Sequence, residues 1–185
     1  MSKKIKGDKL TIVAYTGLVI AVLSAFTTIV GYTNRDGVHR TFTIIDFLKD
    51  ANGFGSFVFN EYTGKGLVVF APWQLYVLIA LGTVAIICSF IGLMKLSKQT
   101  DNRASYALTI LGLIGTMAPS VVLFIEIFML KSKYLGEISC GIYPIVSPIA
   151  MIVCIAAAVK MRRRNNQFRK KFKEAEGLIY RGGNL

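Results

Sequence analysis

The sequence predicts an all-α membrane protein: a four-helix transmembrane bundle with a small β-rich extracytoplasmic loop and a basic amphipathic cytoplasmic tail helix. Three observations predict it. Charged residues are missing from four stretches, 10–34, 66–94, 104–125 and 138–159, the shortest of them 22 residues long. A helix needs ~20 consecutive apolar residues to cross a bilayer. The chain is 54% hydrophobic over 185 residues and still carries a formal net charge of +12. Its basic residues are divided unequally between the segments that separate the four stretches, sixteen on one side and six on the other.

That division sets the expected orientation. Residues 1–9 carry Lys3, Lys4, Lys6 and Lys9, the loop at 95–103 carries Lys95, Lys98 and Arg103, and the segment 160–185 carries nine basic residues. The positive-inside rule places these three segments, and both termini, in the cytoplasm of a multi-pass plasma membrane protein. The intervening segments, 32–72 and 127–137, are then extracytoplasmic, and acids balance their basic residues when Glu126, at the edge of the second, is counted with Glu137. The whole excess charge lies on one face. It reads as an orientation signal with a grip on anionic inner-leaflet lipid, and nucleic acid is excluded as a partner.

Span one covers 10–31. Its apolar run is longer than a signal-peptide core of ~7–15 residues and no good small-x-small cleavage site follows, so it is expected to remain attached. Span two covers 73–94 and starts at Pro72-Trp73, with Trp73 and Tyr76 as an interfacial aromatic anchor. Span three covers 104–126 and span four 138–159. Each span carries a stripe of small residues: Gly17, Ala21 and Ala25; Gly82, Ala85, Ser89 and Gly92; Gly112, Thr116 and Ser120; Ala150, Cys154 and Ala158. Such stripes let helices approach closely, and packing within one bundle is the favoured use over an oligomer seam. Pro119, Pro144 and Pro148 each remove a backbone donor and are expected to bend their helices.

Glu126 is the intramembrane acid, and it ends the uncharged run of span three. An interfacial carboxylate paired with Lys131 or Lys133 is the favoured reading, with a cation or proton site as the minority one.

The loop 32–72 is rich in β-formers, in the runs 41–45, 57–59 and 67–70, with Gly64 and Gly66 between the last two and Asn52-Gly53 as a second turn. A small antiparallel sheet over the outer bundle ends is expected. Phe42, Ile44, Phe57, Phe59 and Tyr62 are the candidate partner-binding residues, because an apolar strand edge needs a cover. His39 is the only histidine, and the three cysteines, Cys88, Cys140 and Cys154, have no zinc-type or Cys-x-x-Cys spacing. No metal, cofactor or catalytic residue is expected: no nucleophile–base pair or phosphate-cradling motif is visible, so the chain does not read as an enzyme.

Past Lys160 the tail continues as a helix with Phe168, Phe172, Ala175 and Ile179 on one stripe. Arg162, Arg163, Arg164, Arg169, Lys170, Lys171 and Lys173 form its basic, lipid-facing set, suited to an amphipathic helix lying on the inner leaflet.

Cytoplasmic termini, a large β-rich first outer loop and a short second one resemble the claudin-like four-span arrangement, and also small uncharacterised bacterial four-span membrane proteins. The resemblance covers the whole chain as architecture, while the Gly-Leu-Trp and paired-Cys pattern of the claudin first loop is absent here. The expected function is an integral membrane interaction protein or accessory subunit that recognises another membrane or extracytoplasmic protein through its first loop. The competing expectation is an oligomeric channel or small-solute transporter, suggested by the prolines, Glu126 and the polar stripe of span three.

Overall fold

The computed structural model describes residues 9–33, 37–49, 72–98, 103–133 and 138–182; for 47–48, 72–75, 126, 129–133, 173 and 175–182 only the backbone is described. The elements run α1 (Lys9–Ser24), β1 (Thr28–Thr33), β2 (His39–Thr43), α2 (Ile44–Lys49), α3 (Pro72–Ser97), α4 (Arg103–Lys133), β3 (Ile138–Cys140) and α5 (Tyr143–Gly182). The protein is therefore mostly helical, with one small sheet at one end of a bundle.

Three of the helices, α3, α4 and α5, are long and apolar enough to cross a membrane. At 1.5 Å per residue they reach about 39, 46 and 60 Å, against a hydrocarbon thickness of ~30 Å. Their outward faces carry large apolar side chains such as Leu81, Leu111, Phe128 and Ile152, all more than half exposed. So much exposed apolar surface is a liability in water and the normal condition in lipid. The fold defines a helical membrane protein.

The first apolar stretch departs from expectation. It does not form one helix over 10–31: α1 stops at Ser24 after 16 residues, about 24 Å, and the rest of the stretch becomes β1. The cause is local. Thr27, Thr28, Ile29 and Val30 form a β-branched run, and β-branched residues favour strand over helix. Ser24 and Thr27 turn the chain, with the Ser24 hydroxyl donating to the Ala21 carbonyl and the Thr27 hydroxyl to the Ser24 carbonyl.

The sheet has the order β2-β1-β3, antiparallel throughout. Only part of it comes from the expected source. Thr41, Phe42 and Thr43 are in β2, but Ile44 and Ile45 already belong to α2. The runs 57–59 and 67–70 lie outside the described residues, as do Phe57, Phe59 and Tyr62. The third strand comes instead from Ile138–Cys140, which the charge pattern assigned to span four. Gly141 then joins β3 to α5: its N–H donates to the Ile29 carbonyl at 2.8 Å, and a Cβ there would collide with the Thr28 and Ile29 backbone.

The helices pack as the small-residue stripes predict. On α1 against α5, a Cβ on Gly17 would lie 2.5 Å from Cys154 Sγ and 3.1 Å from the Ala150 carbonyl. On α3 against α4, a Cβ on Gly112 would lie 2.7 Å from Ser89 Oγ, and one on Gly115 2.9 Å from the Ala85 Cβ. Ser89, Thr109 and Thr116 return their hydroxyl protons to carbonyls of their own helices, so these buried seams carry no loose donor. α5 packs on both α1 and α4, and α4 on both α3 and α5, so α4 and α5 are the inner helices, whereas α1 and α3 touch much less.

Two apolar clusters result. Leu18, Leu93, Leu96, Leu113, Met151 and Met161 fill the half of the bundle remote from the sheet. Ile29, Val30, Tyr32, Leu123, Ile127, Ile138 and Tyr143 form a second cluster under the sheet.

The prolines act differently from one another. Pro119 and Pro148 are inside helices, whereas Pro144 is the second residue of α5. A missing N–H costs nothing in a first turn, so Pro144 starts its helix and has no register to break.

Candidate functional site

Two features of the sheet end can bind something: the exposed side of the sheet, and a crevice beneath it between helices. Both depend on the α1 stretch ending as a strand.

Among the described residues β2 lies at one edge of the three-stranded sheet. Its residues His39, Arg40 and Thr41 are exposed, while Phe42 and Thr43 are half-buried. His39 is set opposite Thr33 by the β1–β2 register, and its Nδ1 shares a hydrogen bond with Thr33 Oγ1 at 3.0 Å. On the same side Gly31 lies between His39 and Ser139: a Cβ there would be 2.5 Å from Ser139 Oγ and 3.0 Å from His39 Cε1. Beside Gly31 lies a hollow of about 390 Å³ lined by His39, Thr41, Ser139, Ile142 and Ile145 among others. It is a mixed surface, with hydroxyls and an imidazole beside exposed Ile142 and Ile145.

Phe42 and Ile44, two of the partner-binding candidates, are half-buried. Both pack against the cluster under the sheet, so they brace it from below while His39 and Thr41 form its exposed face. Hydropathy alone cannot separate the two roles, because alternation in β2 turns Phe42 inward and Thr41 outward. α2 is fastened to the strand by a reciprocal cap. The Thr43 N–H and hydroxyl donate to Asp46 Oδ2 at 2.8 and 2.7 Å, and the Asp46 N–H reaches Thr43 Oγ1 at 3.4 Å. These bonds hold the Asp46 carboxyl below the ordinary carboxylate range.

The crevice beneath the sheet has a volume of about 370 Å³. α1 and its following turn contribute Ala21, Ala25 and Phe26, α3 contributes Ile79, Gly82 and Thr83, α4 Thr116 and Pro119, and α5 Tyr143 and Ser147. It exists because α1 and α3 meet nearer the other end, where the Tyr15 and Phe90 rings touch edge-on at 5.7 Å between centroids. Small residues then face each other across the divergence.

The remaining predicted positions are dispersed. Glu126 falls within α4, which runs seven residues past it to Lys133. For Glu126, Lys131 and Lys133 only the backbone is described.

The tail residues also divide. α5 continues without interruption from the apolar part into the tail. A turn onto the membrane plane requires a kink, for which 160–175 supplies neither Pro nor Gly. Met161 and Asn165 are buried, Arg162 lies over the Tyr106 ring at 4.9 Å, and Arg164 is half-buried, so Arg162 and Arg164 belong to the bundle. Arg163, Arg169, Lys170, Lys171, Phe168 and Phe172 are exposed. Lys173 has only its backbone described.

No group of three His, Cys, Asp or Glu side chains that could hold a metal occurs among the described residues. The chain matches no protein-family model, no curated protein and no solved structure. Its class is therefore stated from the fold alone: a helical membrane protein with a small sheet at one end of the bundle.

Proposed function

We propose that this is an integral membrane accessory subunit with four spans and cytoplasmic termini, which recognises a partner protein at its extracytoplasmic sheet. The observation that carries the proposal is β2, a sheet-edge strand with His39, Arg40 and Thr41 exposed. Among the described residues no strand lies beyond β2. An edge strand is a template for another strand, and strand addition combines main-chain hydrogen bonds with side-chain pockets such as the hollow beside Gly31.

The fourth span in this reading is α1. Its 24 Å is short for a bilayer, but the apolar stretch continues through Tyr32, and Ile29, Val30 and Tyr32 are buried in protein. Non-helical backbone is tolerated at membrane depth where protein covers it. The exposed Arg163, Arg169, Lys170 and Lys171 then lie on the cytoplasmic side, where anionic lipid attracts them. Solute passage has less support, since Leu93, Leu96, Leu113, Met151 and Met161 close the bundle on the side away from the sheet.

Purification at native expression in mild detergent tests the proposal. A second protein is expected in stoichiometric amount, and Thr41→Pro should release it by spoiling the strand edge. Recovery of the wild type only as a lone monomer would exclude the accessory role.

A further inference from the structure

The crevice between α1 and α3 has a definable occupant. Its volume of about 370 Å³ is more than twice that of the ~150 Å³ apolar cavity that stays dry and takes up benzene. Apolar lining predominates, and two of its hydroxyls are already engaged: Thr83 donates to the Ile79 carbonyl at 2.8 Å and Thr116 to the Gly112 carbonyl at 2.9 Å. A sugar, ion or peptide would lose its hydration there for little return. The other two hydroxyl-bearing residues, Tyr143 and Ser147, belong to the first two turns of α5, next to the sheet. The site is apolar in depth and polar only at its sheet end.

Access is sideways. Phe26 and Thr83 line the crevice and are exposed, and Ala25, Ile79 and Gly82 are half-buried. The space therefore opens between two helices whose other faces carry exposed Leu23 and Leu81. At membrane depth those faces meet fluid hydrocarbon. Lining atoms without neighbours lose dispersion contacts, and a lipid tail is the molecule present at that depth to restore them.

We propose that the α1–α3 crevice is a binding site for one acyl chain of a membrane lipid, which enters laterally and has its polar end towards Tyr143. The site rests on the reading of α1 as a span and does not depend on the sheet-edge partner.

The test uses the full chain in nanodiscs of phosphatidylcholine that carries a diazirine on one acyl chain, with the labelled residues mapped by mass spectrometry. Labelling should concentrate on Ile79 and the Ala25–Phe26 turn above the level at the exposed Leu81 and Leu111. Gly82→Leu should reduce crevice labelling several-fold and leave Leu111 unchanged. A Cβ on Gly82 meets only Pro119 Cγ, at an ordinary 3.6 Å, so the added side chain has room to enter the crevice. Ala25→Leu fills the same space from α1 and gives the readout if the first variant loses its monodisperse form. Labelling that merely follows exposure, or that survives both fillings, would overturn the proposal. So would an unlabelled crevice blocked by another part of the chain or by a co-purifying protein.

Discussion

Cys154 Sγ donates to the Ala14 carbonyl at 3.1 Å, across a helix crossing that is close because Gly17, one turn along α1, has no side chain. Cys154 is fully buried there. The thiol thus serves as a small packing group with one weak donor, in a seam where lipid gives helices no hydrophobic incentive to associate and fit must supply it.

Gly17→Val should accordingly separate α1 from α5. The added atoms would overlap Cys154, and overpacking of this kind costs about 1–3 kcal/mol. Cys154 should resist maleimide in the folded wild type and react in the variant below its melting temperature. Equal protection of Cys154 in both proteins would contradict the seam.

Acid should loosen α2 before the bundle. Thr43 holds the Asp46 carboxyl below its ordinary value of 3.8 by two hydrogen bonds. A carboxylate with a depressed folded pKa contributes stability that is complete above the unfolded value and lost as pH falls through the folded one. Hydrogen exchange across α2 should be constant from neutral pH to about 5 and then rise, relative to intrinsic rates, below the ordinary carboxylate pKa of ~3.9. Asp46→Asn should abolish that dependence, and Thr43→Ala should cost about 1 kcal/mol as the loss of a cap. A wild type whose α2 protection ignores acid would refute the cap's role.

The helical seams were legible in the sequence because their signal is periodic: Gly17 with Ala21, Ala85 with Ser89 and Gly112 with Thr116 recur at helical spacing and meet where that spacing puts them. Two junctions were not. A charge-free window treats Ile29 and Ile138 as span, since hydropathy measures burial and both are buried, one within a strand and the other at the start of one. For Ile138 the strand partner is more than a hundred residues away, which no local pattern encodes, whereas for Ile29 the β-branched run was the local signal that a hydropathy window passes over. The crevice was equally hidden, because it arises where α1 and α3 fail to touch.

The β1–β3 register offers a direct check on that long-range pairing. Val30 faces Cys140. The Gly141 N–H to Ile29 carbonyl bond makes Ile29 and Gly141 a hydrogen-bonded pair, so the alternating ladder makes Val30 and Cys140 a non-hydrogen-bonded one, with Cα atoms ~4.5 Å apart. That separation lies within the range a disulfide accepts. Val30→Cys should form an intramolecular disulfide with Cys140 under mild oxidation, seen as a reduction-sensitive shift in electrophoretic mobility. Thr28→Cys, two residues along the strand, should form it poorly. Equal yields from the two variants would mean that the register is wrong.

Asn165 carries the last prediction. It lies in what the charge pattern reads as a tail, yet it is 1% exposed, and its Nδ2 donates to the Leu96 carbonyl at 2.9 Å. Leu96 is the penultimate residue of α3, and the last four carbonyls of a helix have no partner within it. The tail segment of α5 therefore caps α3 and, with Arg162 over Tyr106, joins three helices at the end opposite the sheet. Asn165→Leu should strand that carbonyl, at a cost of about 1–3 kcal/mol. Exposed Arg169→Ala should change stability by less than about 0.5 kcal/mol. Thermal unfolding of both variants in one detergent measures the contrast. Equal melting temperatures would show that the tail begins at the membrane and contributes nothing to the bundle.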